Sequence, residues 1–284
     1  MTSVTADAWP LRETRVDGAC IRYVEAGRGE PVLLLHGYPQ NHRCWRHQLA
    51  DLSVTHRVVA PDWFGFGDSE RRLDLLPDYD AEVERIGKLA ERLDLFPLNL
   101  VGHDYGGYLG LGYAVRYHGA VRRLGILNSR AHGTFTGPWY LYYLTLCWAA
   151  RRSLVRPILH ALPVGALHRA GLRQYVRLGC FSPDLLNRYV AWMDTSEGRY
   201  WYFHFFAHYQ TPVRPELASG LARVRCPTAI IWGDRDPYIP FSIAEELAAR
   251  IDGATLTRLR AVDHFVMEQR PQEVTDALRS LLAR

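Results

Sequence analysis

Short, nearly continuous apolar runs recur along the chain, and each ends in a loop rich in glycine, aromatic residues or acids. Val32-Leu33-Leu34-Leu35 stops at His36-Gly37-Tyr38-Pro39, and Val58-Val59-Ala60 stops at Pro61-Asp62-Trp63. Residues 98–101 lead into Gly102-His103-Asp104-Tyr105-Gly106-Gly107, and Ala229-Ile230-Ile231-Trp232 leads into Gly233-Asp234-Arg235-Asp236-Pro237. A strand with one wet face carries a polar residue at every second position. These runs do not, so each is expected to be buried on both faces, as in a parallel sheet covered by helices on either side. Residues 124–127 and 254–259 read as further strands, and residues 12–16 and 19–24 as a hairpin around Asp17-Gly18. Helices are expected near 43–51, from an N-cap at Asp80 through Val83, Ile86, Ala90 and Leu93, from Gly106 towards Tyr117, and at 241–251 and 273–282. Strand and helix thus alternate as in an open α/β sheet.

The alternation breaks once. Residues 130–224 hold no run of this kind; they read as helical, aromatic-rich segments punctuated by Pro and Gly. The expected organisation is a sheet domain of residues 1–129 and 226–284, interrupted by a helical insertion at 130–225. That insertion carries eight of the 16 tyrosines.

Composition narrows the function classes. The formal net charge is +4, and the basic side chains, all Arg except Lys88, form no long run, so nucleic acid is not an expected partner. Cys20, Cys44, Cys147, Cys180 and Cys226 are widely spaced with no C-x-x-C pair, which argues against a zinc ribbon or a disulfide framework and for a reducing, cytoplasmic setting. The opening MTSVTADAWP lacks a charged start followed by an apolar stretch, so no signal peptide is expected. Residues 138–150 are the most apolar stretch but too short for a membrane span. Gly65-Phe66-Gly67 has Glu70 where a dinucleotide motif needs Gly, and no Walker motif occurs. His204 and His208 lie one helical turn apart, but the HExxH glutamate and a third ligand are missing, so they read as part of the cap or as pocket lining. No cofactor and no metal are expected.

Chemistry-bearing residues gather at strand ends. Gly102-His103-Asp104-Tyr105-Gly106, between a strand and a helix, has the form of a nucleophile elbow: small residues permit a tight turn that pushes the central side chain out at the carboxyl end of the sheet. The loop at His36-Gly37-Tyr38-Pro39 can offer a backbone N–H beside it. The N–H groups of Tyr38 and Tyr105 are then the expected oxyanion-hole donors. An acid in Gly233-Asp234-Arg235-Asp236-Pro237 and a histidine in Asp263-His264-Phe265 follow at the last two strand ends, as suits a base and its orienting partner.

HGYP at 36–39, PDWFGFGDS at 61–69, GHDYGG at 102–107, GDRDP at 233–237 and DHFVMEQRP at 263–271 together resemble the α/β-hydrolase family over residues 12–129 and 226–284, and more narrowly its aspartate-nucleophile branch of epoxide hydrolases and dehalogenases. The resemblance implies a mostly parallel eight-stranded sheet flanked by helices, with an inserted helical cap. It implies Asp104 as nucleophile, Asp236 as acid and His264 as base, with Asp234 the competing acid whose other role is to close its turn. Where some dehalogenases place the acid, this chain has Asn128-Ser129, which carries no charge.

An aspartate changes the reaction class. A carboxylate attacks an sp3 carbon bearing a good leaving group and forms an alkyl-enzyme ester, which water activated by His264 then hydrolyses. The related haloalkane enzymes usually hold halide with a Trp after the nucleophile and an Asn or Glu in the HGxP loop; here those places hold Tyr105 and Tyr38. Epoxide hydrolases instead donate O–H from two cap tyrosines, and the placement along the insertion points to Tyr143 and Tyr209, with Tyr142 and Tyr202 as competitors. The expected function is epoxide hydrolysis to a vicinal diol on a small apolar substrate with water. A haloalkane or haloacid dehalogenase is the alternative, which PDWFGFGDS and DYGGYLGL also resemble, and an inactive ligand-binding homologue is the third reading. The sequence leaves oligomeric state open.

Overall fold

The computed structural model describes residues 8–284; most of the stretch read for a leader lies outside them. Eight strands form one sheet: β1 (Leu11–Val16), β2 (Ala19–Ala26), β3 (Pro31–Leu35), β4 (Arg57–Pro61), β5 (Leu98–His103), β6 (Val121–Leu127), β7 (Thr228–Gly233) and β8 (Thr255–Leu259). The spatial order is β1-β2-β4-β3-β5-β6-β7-β8. β1 and β2 pair antiparallel, as does β2 with β4, and every later pairing is parallel. All of β5 and β7 is buried, as their apolar sequences require. The hairpin β1–β2 turns at Asp17-Gly18, both with positive φ.

Helices cover the sheet. α1 (Arg46–Leu52) packs beside α12 (Pro271–Leu282), which lies on β6 and β7; α2 (Tyr79–Arg92) packs beside α3 (Tyr105–Arg116), which lies on β5 and β6. α10 (Ser242–Arg250) joins β7 to β8, and the short α11 (Val266–Gln269) precedes α12. One expectation is corrected: the N-cap of α2 is Asp78, not Asp80. Asp78 has extended backbone, and its carboxylate accepts from the N–H groups of Asp80 and Ala81. Asp80 falls in the first turn and pairs with Arg116 and Arg214 instead.

Between β6 and β7 the described residues form helices only: α4 (Gly137–Ala150), α5 (Arg156–His160), α6 (Val164–Arg177), α7 (Pro183–Val190), α8 (Ser196–His208) and α9 (Pro215–Gly220), with single 3-10 turns at Ala191–Asp194 and Leu221–Arg223. α8 is the centre of this layer. Trp201, Tyr202, Phe203, Phe205 and Phe206 are all buried, and α8 packs against α4 and α5.

Two glycines set the geometry that matters. A Cβ on Gly102 would lie 2.4 Å from the carbonyl oxygen of Gly106, and a Cβ on Gly106 would lie 2.4 Å from that of Leu35 and 2.6 Å from that of His36. β3, β5 and the start of α3 meet backbone to backbone there. Gly106→Ala is expected to cost at least about 1–3 kcal/mol, since backbone cannot step aside as a side chain can; the urea midpoint should fall with little change in slope.

Candidate active site

Asp104 sits between β5 and α3 with φ 48 and ψ −113, a strained conformation for a residue with a side chain. The turn aims its carboxylate away from the sheet. Oδ1 accepts the backbone N–H of Tyr38 at 2.8 Å, and the Tyr105 N–H also donates to this carboxylate. Oδ2 faces His264, with Nε2 3.6 Å away. The two oxygens therefore differ: Oδ1 is held by the Tyr38 N–H, and Oδ2 looks at an imidazole.

His264 is buried, and its Nδ1–H donates to Asp236 Oδ2 at 2.8 Å, which leaves the Nε2 lone pair towards Asp104. Asp236 is filled on all sides. Asn128 Nδ2 donates to the same Oδ2 at 2.7 Å, and Oδ1 accepts the N–H groups of Tyr238 and Ile239 at 2.8 and 3.0 Å. Asp234 is elsewhere. It accepts from Arg258 Nε on β8 and from the Ala261 N–H just past β8, tying the loop after β7 to the end of β8, so the structure brings Asp236 and not Asp234 to His264.

Histidines outside this line hold the loops together. His36 Nδ1–H donates to the Gly37 carbonyl while Nε2 accepts the Trp63 N–H; burial pulls its pKa down to about 4, so it is neutral. His103 Nε2–H donates to the His264 carbonyl at 3.0 Å, tying the elbow to the loop after β8.

Burial raises the Asp104 pKa, against the opposing pull of His264 and the two peptide N–H groups. For His264, burial alone would favour the neutral ring, but Asp236, its hydrogen bond and Asp104 outweigh it and the pKa ends above the usual histidine value. Neutral imidazole, the form able to take a proton, then accumulates only as pH rises through that raised value. Neutralising Asp104 by esterification would remove one of the raising charges and release the base.

Over Asp104 lies a cavity of about 170 Å³, lined largely by aromatic and aliphatic side chains. Tyr143 and Tyr209 both line it, as does Tyr142, whereas Tyr202 does not. Tyr202 hydrogen-bonds to Tyr38 and Tyr142. The Tyr38 hydroxyl in turn donates to His168 Nε2, because His168 Nδ1–H is committed to the Val164 carbonyl at 2.8 Å. Tyr143 is stacked on Phe206, and among the described residues no side chain hydrogen-bonds its hydroxyl.

Tyr209 differs. Its oxygen accepts from Arg130 Nη1 at 2.6 Å. Arg130 is 2% exposed and makes no ion pair among the described residues. Its Nη1 and Nη2 also donate to the carbonyls of Gln210, Thr211 and Pro212, just past the end of α8, while Nε has no partner among the described residues, and the guanidinium lies over the rings of Tyr108 and Phe135. Burial and the field of Asp104 raise both phenols, and Arg130 pulls that of Tyr209 back part of the way, whereas Tyr143 has no such cation.

Asn128 and Arg130 were not singled out from sequence as parts of the site. The signals available were an amide at the end of β6, where an acid had been sought, and a lone arginine two residues further on. The His204–His208 pair reads as structural: His204 Nε2 bonds the Leu75 carbonyl and His208 Nδ1 the His204 carbonyl.

Residues 30–271 match the family model described as alpha/beta hydrolase fold. The chain belongs to the α/β-hydrolase fold family, as its sheet order and strand-end residues already define. Among its relatives are a cis-3-alkyl-4-alkyloxetan-2-one decarboxylase of Shewanella oneidensis, 27% identical over 94% of this chain and 86% of that protein, and epoxide hydrolase 3 of Xenopus tropicalis, 27% identical over 93% and 75%. Haloalkane dehalogenase 2 of Mycobacterium tuberculosis is also 27% identical, over 91% of this chain and 90% of its own length. A crystal structure of a mutant epoxide hydrolase from Bacillus megaterium superposes with TM-score 0.79 at 23% identity, covering 96% of this chain and all of that one, a likeness of fold.

In the free protein, NMR titration of His264 should give a midpoint above the ordinary histidine value. In Asp236→Asn the midpoint should fall, since burial then acts with less opposition. A midpoint unmoved by that change would break the assigned link.

Proposed function

We propose that the protein is an epoxide hydrolase working through an ester on Asp104, with residues 130–225 acting as a cap over a core of 1–129 and 226–284. The observation that carries this reading is that the phenols of Tyr143 and Tyr209 line the same apolar cavity as the half-buried Asp104 carboxylate. An opening epoxide leaves charge on oxygen, and that oxygen needs an acidic O–H. The Tyr209 oxygen already accepts from Arg130, so its own proton is free to be donated, and the cation steadies the tyrosinate that results.

Asp104 Oδ2 attacks a ring carbon, the C–O bond of the ring breaks, and Tyr209 protonates the departing oxygen while Tyr143 hydrogen-bonds it. With Asp104 esterified, His264 Nε2 takes a proton from water, whose oxygen attacks Cγ. The negative charge falls on Oδ1, which already accepts the Tyr38 N–H, with the Tyr105 N–H also donating to this carboxylate. Asp236, itself held by Asn128, stabilises the imidazolium. Collapse of the intermediate breaks the Cγ–Oδ2 bond, the imidazolium proton of His264 passes to the departing oxygen, and the diol leaves; the proton of the regenerated Asp104 carboxyl returns through solvent to the Tyr209 tyrosinate. All five cysteines are free thiols, three of them buried, which supports a reducing, cytoplasmic setting.

A hydrolytic dehalogenase is the second reading. It is favoured by Trp139, whose indole lines the cavity and could donate N–H to a halide, and by the haloalkane dehalogenase relative. The oxetan-2-one named for another relative is also a strained oxygen ring, which the same carboxylate could open.

His264→Gln, incubated with a panel of alkyl epoxides and 1-haloalkanes, should gain the mass of the epoxide on the peptide containing Asp104 and keep it. An adduct from haloalkanes alone would assign the dehalogenase. No adduct from either, together with inactive wild-type protein, would leave a binding protein. Tyr209→Phe and Arg130→Met should each slow ester formation from epoxides by about 10²-fold, and Tyr143→Phe by less, with rapid quench and mass as the readout. Unchanged rates in all three would remove the phenols from the mechanism.

A further inference from the structure

The chain has no Asp or Glu between Asp104 and Asp184. Within that gap, α4, α5 and α6 with their joining turns carry Arg151, Arg152, Arg156, Arg169, Arg173 and Arg177, although the net charge of the whole chain is only +4. Arg169 pairs with Asp194; none of the other five makes an ion pair among the described residues.

The same segment is apolar where it meets solvent. α4 contains no charged residue, yet only Cys147 and Ala150 of its 14 residues are buried. Leu141, Tyr142, Leu144 and Trp148 are exposed on it, Leu154 is 91% exposed and Ile158 68%, and Leu162 and Leu167 continue the surface into α6. Arg152 lies over the Trp148 ring at 5.0 Å. A helix apolar all round is normally enclosed, and exposed apolar patches of this extent mark interaction sites.

The patch adjoins the cavity. Tyr142 on α4 and Leu167 on α6 both line the cavity over Asp104 and are themselves exposed, so they lie at its rim. We propose that the α4–α6 face docks on an anionic lipid surface, with this opening turned towards the lipid. Unpaired arginines around an aromatic and aliphatic patch match the headgroup–acyl boundary in both charge and polarity. A second copy fits poorly, because an isologous contact would bring the two arginine clusters together. A protein partner seated there would stop the opening, whereas a lipid layer is itself a solvent for apolar substrates. The contact is peripheral, since among the described residues no helix is long and apolar enough to cross a membrane. The docking surface is independent of the reaction assigned above; entry of substrate from the lipid rests on that assignment.

The test is co-sedimentation of the full chain with phosphatidylglycerol–phosphatidylcholine vesicles, against phosphatidylcholine alone. Binding should require the anionic lipid and weaken with salt. Arg173→Glu with Arg177→Glu should lower the partition constant by more than about tenfold, at about fivefold for each arginine near an anionic surface. Leu154→Asp with Ile158→Asp should also lower it, while turnover of a water-soluble substrate is unchanged in both variants. No binding at low salt, or binding unaffected by both double variants, would overturn the proposal. So would self-association in light scattering that the Leu154/Ile158 variant abolishes without any vesicle binding, which would assign the face to a second copy. Vesicle binding by a protein that forms no ester would uphold the surface and reject only the reaction.

Discussion

A carboxylate taken out of water must be solvated by something else, and at Asp104 the protein supplies two backbone N–H groups and an imidazole. Each comes from a different strand end: Tyr38 after β3, Tyr105 after β5 and His264 after β8. The site therefore exists only if those ends meet, which makes sheet order part of the chemistry. The glycine contacts between β3, β5 and α3 bring two of them within reach, and His103 ties in the third. Oδ1 is held by the Tyr38 N–H, while Oδ2 faces the His264 imidazole. The same cradle that makes ionised Asp104 tolerable is aimed at the oxygen on which charge would gather during ester hydrolysis.

The helical layer is bound to the sheet through polar groups that also reach the cavity. Arg130, three residues past β6, grips the end of α8 and the Tyr209 oxygen, so the position of a cavity phenol is fixed by a residue at the very start of the insertion. Tyr38 performs a similar service from β3, with its hydroxyl on His168 of α6 and next to Tyr202 of α8. The aromatic excess thus divides into two uses. Trp201 and Phe203 pack α8, whereas Tyr143 and Tyr209 line the cavity over Asp104.

Much of this was legible in the residues. The strands showed themselves because a two-sided buried strand leaves an apolar run that little else imitates, and the candidate residues stood at the ends of those runs. What could not be read depends on which ends become neighbours. Asn128 matters because β6 and β7 pair with Leu127 opposite Ile231, which puts its amide between Gly233 and Asp236. Sequence order does not state that pairing. Asp236 and Asp234 are two residues apart with the same chemistry, and only the path of the turn separates them. Among the tyrosines, Tyr202 is spent within a hydroxyl chain while Tyr209 is presented to the cavity, a choice made by helix packing. The cap of α2 shifted from Asp80 to Asp78 because backbone conformation, not residue type, selects between two nearby acids.

The central claim is that Asp104 itself becomes bonded to substrate. A single turnover of excess wild-type protein in ¹⁸O-water tests it most directly, with mass analysis of the product and of the peptide containing Asp104. The mechanism predicts that the first product carries an unlabelled oxygen from Asp104 and that the label appears in that peptide. Label in the product of the first turnover, with the peptide unlabelled, would mean that water attacks the substrate directly and would contradict the account.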